Sequence, residues 1–195
     1  MNETAAAKTL RLFLAVDPNP ETIAQFDRTI SQLRRLVPKA RWVHAEKLHV
    51  TLVFLGEVEN TKVSAIQGIM QSVVPLHAPF ALQFAEGGTF GEKKRPRVLW
   101  AGIGGELAPL RALQKDLAER LEPLGSPPEH REYSPHLTLA RSADPRGDEH
   151  LCDCLDKLQG QTFGETVVRE VVLYESVQNA RGSMYSALVR VPLRV

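Results

Sequence analysis

The chain has 195 residues, 43% of them hydrophobic, with 24 Lys and Arg against 23 Asp and Glu for a net charge of +1. That balance excludes a disordered or fibrous protein and a blanket polyanion binder, and confines any nucleic-acid contact to a local cleft. The length suffices to bury a core without disulfide or metal staples.

Met1 to Lys8 carries Glu3 where a secretion signal needs bases, and no run reaches the roughly 18 apolar residues of a membrane-spanning helix. The expectation is a cytoplasmic protein with no membrane partner. Leu10 to Val16 reads as a buried strand stopped by Asp17-Pro18. Asn19 then caps a helix with Pro20 at its first position, and Ile23, Phe26, Ile30, Leu33 and Val37 form its apolar stripe. Leu48 to Leu55 is a β-branched strand ending at Gly56. Thr61 to Val74 is a second helix, and Phe80 to Phe84 a third strand closed by Gly87-Gly88.

The second half repeats this order. Arg97 to Ile103 is a strand, Leu107 to Leu121 a striped helix, and Pro135 to Ala140 the next strand. A helix near Asp148 to Leu158 follows, then strands near Thr166 to Tyr174 and Met184 to Val191, joined through Asn179 to Gly182. The string His-x-Thr-Leu occurs at 49–52 and again at 136–139. Phe13 precedes His49 by 36 residues and Leu99 precedes His136 by 37. The expected fold is therefore α/β (α+β): duplicated β-α-β-α-β units, largely antiparallel, forming two pseudo-two-fold lobes around a central cleft. One domain over 1–195 is expected, with halves at about 10–90 and 95–192 that can exchange terminal strands.

Side chains alternate along a strand, so His49 and Thr51 share a face about 6.6 Å apart while Val50 and Leu52 enter the core. His136 and Thr138 repeat the arrangement. Two facing imidazoles with two hydroxyls behind them suit in-line displacement at a phosphodiester, one His taking a proton from water and the other giving one to the leaving alkoxide. The hydroxyls of Thr51 and Thr138 hold the non-bridging oxygens. No metal or other cofactor is expected. Cys152 and Cys154 beside His150 lack a fourth ligand and read as reduced cysteines on a helix. His44, His77, His130 and His150 read as surface or loop residues.

Around these motifs, Phe13 and Trp100 occupy equivalent places and are candidates for stacking a base, against the commoner packing role of aromatics in strands. Arg141 is a candidate phosphate ligand only if its strand bulges, since strict alternation places it with Leu137 and Leu139. The same count assigns Phe54 to the core. Trp42 and Tyr133 either rim or seal the cleft, and the basic run Lys93 to Arg97 either steers RNA or is a solvated loop.

At these residues the chain resembles the 2H phosphoesterase superfamily, specifically the bacterial RNA 2′,3′-cyclic phosphodiesterases also called 2′-5′ RNA ligases. The blocks Arg11 to Val16, Leu48 to Glu57, Arg97 to Gly102, Ser134 to Arg141, Leu173 to Ser176 and Arg181 to Tyr185 carry the likeness, over roughly residues 10 to 190. The resemblance implies hydrolysis of an RNA-terminal 2′,3′-cyclic phosphate to a 2′-phosphomonoester; a monomer with no obligatory protein partner is expected. It makes His49 the proton donor and His136 the proton acceptor; the residues themselves leave that choice open. Its partners are then RNA ends or nucleotides with a 2′,3′-cyclic phosphate. Rival readings are 2′-5′ joining of tRNA halves at the same site, a binding module without turnover, and a metal-dependent hydrolase.

Overall fold

The computed structural model describes residues 8–124, 132–179 and 182–194. The N-terminal stretch, His130 and the centre of the 179–182 connection lie outside them. Among the described residues nine strands form two antiparallel sheets. The first has the order β3 (Val50–Glu59), β1 (Thr9–Val16), β8 (Glu170–Asn179), β9 (Gly182–Pro192). The second has the order β2 (Arg41–Trp42), β6 (His136–Arg141), β5 (Arg95–Gly105), β4 (Phe80–Glu92), β7 (Thr162–Val168). This is the mixed, antiparallel architecture expected from the sequence.

Each motif strand pairs with the strand that opens its half, β3 on β1 and β6 on β5. Of the other strands, all but β7 cross over. β4, from the first half, lies in the second sheet, and the C-terminal hairpin β8–β9 completes the first. The strand read near Thr166 to Tyr174 is in fact two, since the chain leaves the second sheet after Val168 and enters the first at Glu170. Between them the Arg169 carbonyl accepts from the Leu193 amide at 2.8 Å.

Helices cover the apolar face of the sheets. α1 (Pro20–Leu33) packs on β7 and α4 (His150–Leu158) on β4 and β5, while α2 (Val63–Val73) and α3 (Leu107–Leu121) pack on each other, on β3 and on β9. Asn19 caps α1 as expected, its Oδ1 accepting from the Thr22 amide at 2.8 Å. Leu12, Leu14, Val50, Leu52, Leu137 and Leu139 enter one contiguous core. Each such side chain stabilises the fold by about 1.5–3 kcal/mol on burial. Among the described residues no helix is long and apolar enough to cross a membrane.

Gly87 and Gly88 do not close β4. They stay paired with Ala101 and Trp100, and the irregularity falls one residue earlier, where Glu86 adopts φ 57° in a bulge. Their lack of a side chain serves close approach. A Cβ on Gly87 would lie 2.6 Å from Leu158 of α4, and one on Gly88 2.0 Å from the Trp100 ring.

Candidate active site

His49 stands immediately before β3 and His136 opens β6, on strands of the two different sheets. The two imidazoles are anchored alike. His49 Nδ1–H donates to the Lys47 carbonyl at 2.8 Å, and His136 Nδ1–H donates to the Ser134 carbonyl at 2.9 Å. A carbonyl can only accept, so both rings are held with the proton on Nδ1 and Nε2 left for a ligand. Nothing in the sequence marks this bond, because it depends on the backbone turning two residues upstream. The hydroxyls of Thr51 and Thr138 take no partner among the described residues, and both side chains are half-buried.

Both histidines are held below the usual imidazole range. Burial does most of this for His49; its bond to Lys47 and the Asp17 carboxylate push back upward, while the His136 and Arg141 charges push down. Burial also lowers His136, opposed by its bond to Ser134 and reinforced by Arg141. The Asp17 carboxylate is itself fixed by the Tyr174 hydroxyl, which donates to it at 2.7 Å.

The Arg141 effect on both rings reveals what simple alternation misses. In the β5–β6 ladder Leu99 pairs with Ala140 and Trp100 with Thr138, so Leu139 is unpaired. Leu139 and Ala140 are consequently both buried, and the parity flips. Arg141 therefore returns to the His136 and Thr138 face. The first motif does the same: Leu14 pairs with Val53 and Ala15 with Thr51, leaving Leu52 unpaired. Phe54 is thus no core residue. It is 46% exposed on the His49 face, paired with Phe13, with the Arg11 guanidinium 4.9 Å over its ring.

Phe13 has no free face to offer a base. It is 4% exposed and packs on His49 at 4.8 Å, Tyr174 at 5.3 Å and Tyr185 at 5.1 Å, so it buttresses the His49 imidazole. Trp100 lies 6.3 Å from His136 with its indole N–H buried and unpartnered, and Phe90 meets the same imidazole edge-on at 4.8 Å. Trp42 is buried and seals, donating to the Val37 carbonyl at 2.9 Å. Tyr133 bridges the lobes, its hydroxyl donating to the Thr51 carbonyl at 2.9 Å.

The remaining polar candidates stand apart. Lys93 and Lys94 are exposed at the β4–β5 turn. His77 pairs with Asp116 at 3.0 Å, and His150 is exposed. Cys152 and Cys154 are free thiols on α4, and burial pushes Cys154 up to about 11. Among the described residues no group of three or more His, Cys, Asp or Glu side chains is placed to hold a metal ion.

Two antiparallel sheets presenting two imidazoles of matched tautomer, a guanidinium and two free hydroxyls define a two-histidine phosphoesterase type of fold and site. A family model for the 2′-5′ RNA ligase superfamily matches residues 19–180. The chain belongs to that superfamily. Among curated proteins it is 30% identical over 177 residues to an RNA 2′,3′-cyclic phosphodiesterase of Methanothermobacter thermautotrophicus, covering 91% of this chain and 95% of that one. It is 33% identical over 182 residues to the one of Thermotoga maritima, covering 92% and 93%. A relative of the same name from Geobacillus stearothermophilus is 37% identical over 134 residues, and the match spans 42% of its length. Among solved structures, TT0787 of Thermus thermophilus superposes with a TM-score of 0.80 at 27% identity, covering 95% of this chain and 98% of that one. LigT of E. coli complexed with 3′-AMP gives 0.74 at 26% identity, covering 95% and 99%.

Proposed function

We propose that the protein hydrolyses RNA-terminal 2′,3′-cyclic phosphates to 2′-phosphomonoesters by general acid and base catalysis without a metal. The observation that carries this reading is the pair of imidazoles, each locked through Nδ1 to a carbonyl two residues upstream and each free at Nε2. A binding module needs no such matched tautomers. The names of the relatives support the same chemistry.

The surroundings support a division of labour between two otherwise similar histidines. Burial lowers both rings and Arg141 lowers both; Asp17 opposes this at His49, where the His136 charge adds to it, and no carboxylate acts on His136. With the roles that the family resemblance implies, His49 carries the proton to the leaving oxygen and His136 is the neutral ring that takes one from water. In this mechanism a water attacks phosphorus in line, His136 Nε2 takes its proton, and His49 Nε2–H gives one to the departing ribose oxygen. Thr51, Thr138 and Arg141 hold the non-bridging oxygens through the rise in charge. The exposed Phe54 ring, five residues past His49, offers the terminal base a stacking face.

The reading takes the protein as one 2H phosphoesterase domain, monomeric and cytoplasmic, acting on RNA ends or nucleotides with a 2′,3′-cyclic phosphate. The test is hydrolysis of a short RNA ending in 2′,3′-cyclic phosphate with excess EDTA, beside His49→Ala and His136→Ala, with the product read by phosphorus NMR. Turnover that survives chelation, yields a 2′-phosphate and falls by about 10²- to 10⁴-fold in each variant is expected. A parent that binds this RNA without opening it overturns the reading. The family description motivates a second reading, 2′-5′ joining at the same site, which predicts joined product when ends are concentrated.

A further inference from the structure

A cavity of about 720 Å³ opens beside His49, between the 44–47 turn and the β8–β9 hairpin. Its walls include His44, Glu46, Lys47, Tyr174, Tyr185 and Arg190. The charges there are unequal. Arg190 is neutralised by Glu170 and lies 3.6 Å from Asp17, and Glu46 is exposed at the rim. Lys47 has no carboxylate partner among the described residues. Its ammonium donates to the Ser183 carbonyl at 3.0 Å, which fixes the head while leaving two of its three hydrogens. Tyr185 forms a wall of this cavity, its ring edge-on to His49 at 5.3 Å.

We propose that this cavity is a subsite for the nucleotide upstream of the cyclic phosphate, with Lys47 binding the internucleotide phosphate on its 5′ side and Tyr185 packing against the upstream ribose. The inference rests on the hydrolase reading above and deepens it. A strand that ends in a cyclic phosphate continues in one direction only, through the 5′ oxygen. Rings pack on both imidazoles, Phe90 and Trp100 at His136 and Phe13 and Tyr185 at His49, and the cavity adjoins His49. Along the chain Phe54 and Lys47 also lie on opposite sides of His49, so a terminal base on Phe54 leaves the Lys47 end for the rest of the strand. The volume falls within the roughly 300–1,000 Å³ of small-ligand pockets, enough for one nucleotide unit.

The test compares kcat/KM for adenosine 2′,3′-cyclic phosphate with that for the adenylyl dinucleotide ending in 2′,3′-cyclic phosphate. A third substrate replaces the internucleotide phosphate with a neutral methylphosphonate. The dinucleotide is expected to be favoured by about tenfold, the lower end of a charge-assisted contact, and the methylphosphonate to lose most of that preference. Lys47→Gln should bring the ratio of dinucleotide to mononucleotide close to one; because the readout is a ratio, any general effect on His49 cancels. Equal use of all three substrates by the parent, or a preference untouched in Lys47→Gln but lost in Lys93→Gln/Lys94→Gln, overturns the subsite. Calorimetric binding of the mononucleotide and dinucleotide to His136→Ala protein reads the same ratio without turnover. Failure of hydrolysis and failure of the subsite are thereby told apart.

Discussion

Phe54 and Arg141 occupy the same place in the two halves of a duplicated strand, each five residues past a motif histidine and each returned to the cleft face by a bulge at the Leu after the Thr. One is an exposed aromatic ring and the other a guanidinium. The duplication thus supplies two equivalent positions, and their different chemistry gives an otherwise two-fold site one end suited to a base and one suited to phosphate charge.

Arg141→Ala should therefore do two things at once. Loss of its contact to phosphate is expected to lower kcat/KM by about 10- to 100-fold, the scale of a charge-assisted hydrogen bond of about 1.5–3 kcal/mol. Because the cation holds both imidazoles down, its removal raises both, and the acidic limb of the pH profile, set by the ring that must be neutral, moves to higher pH. An unmoved acidic limb counts against its place beside the rings.

Asp17→Asn tests the other end of the asymmetry. The carboxylate favours protonated His49, so its neutral replacement lowers that histidine further and the basic limb of the kcat profile moves to lower pH. The Tyr174 hydroxyl retains an acceptor in the amide, which limits any structural effect. A move of the acidic limb to lower pH with the basic limb unshifted would reverse the proposed roles of His49 and His136.

The lowered histidines also tie stability to pH. Both rings are harder to protonate in the folded chain than in the unfolded one, where the ordinary value is about 6.5. Below that value the unfolded chain takes up protons that the fold refuses, so stability present at neutral pH is lost as pH falls through the folded values. Chemical denaturation between pH 8 and 5 should show this slope, and His49→Asn/His136→Asn should flatten it. An unchanged slope in the double variant assigns the effect to other groups.

Gly88→Ala places a Cβ 2.0 Å from the Trp100 ring, which stands 6.3 Å from His136. The indole has to move, and overpacking of this kind costs about 1–3 kcal/mol. A lower melting temperature with altered tryptophan fluorescence is expected, together with reduced turnover through His136. Full activity with an unshifted emission spectrum would show that the strand adapts instead.

Much of this arrangement is written locally. The His-x-Thr-Leu strings, the Asn19-Pro20 helix start and the leucine stripe of α3 are short-range signals, and each stands where its pattern says. Phe54 and Arg141 escape the same reading because a bulge is a fact of pairing: Leu52 and Leu139 look like any strand leucine until the partner strand skips them. The fate of β4 is hidden for the same reason. Its glycines signal a stop locally, yet Trp100 and Leu158 need the space they leave. The lock of each histidine on its own upstream carbonyl leaves no trace in residue types, since every residue supplies a carbonyl.

The crossed strands also set an order of assembly. β1, which carries Phe13 beneath His49, lies between β3 and β8, so its second edge stays open until the C-terminal hairpin is made. The second sheet likewise waits on β7, made after both motifs. A chain emerging from the ribosome therefore holds both His-x-Thr-Leu strings before it holds either finished scaffold. These long-range pairings must close late, and a fragment cut after β4 would present β1 as a bare edge open to intermolecular pairing.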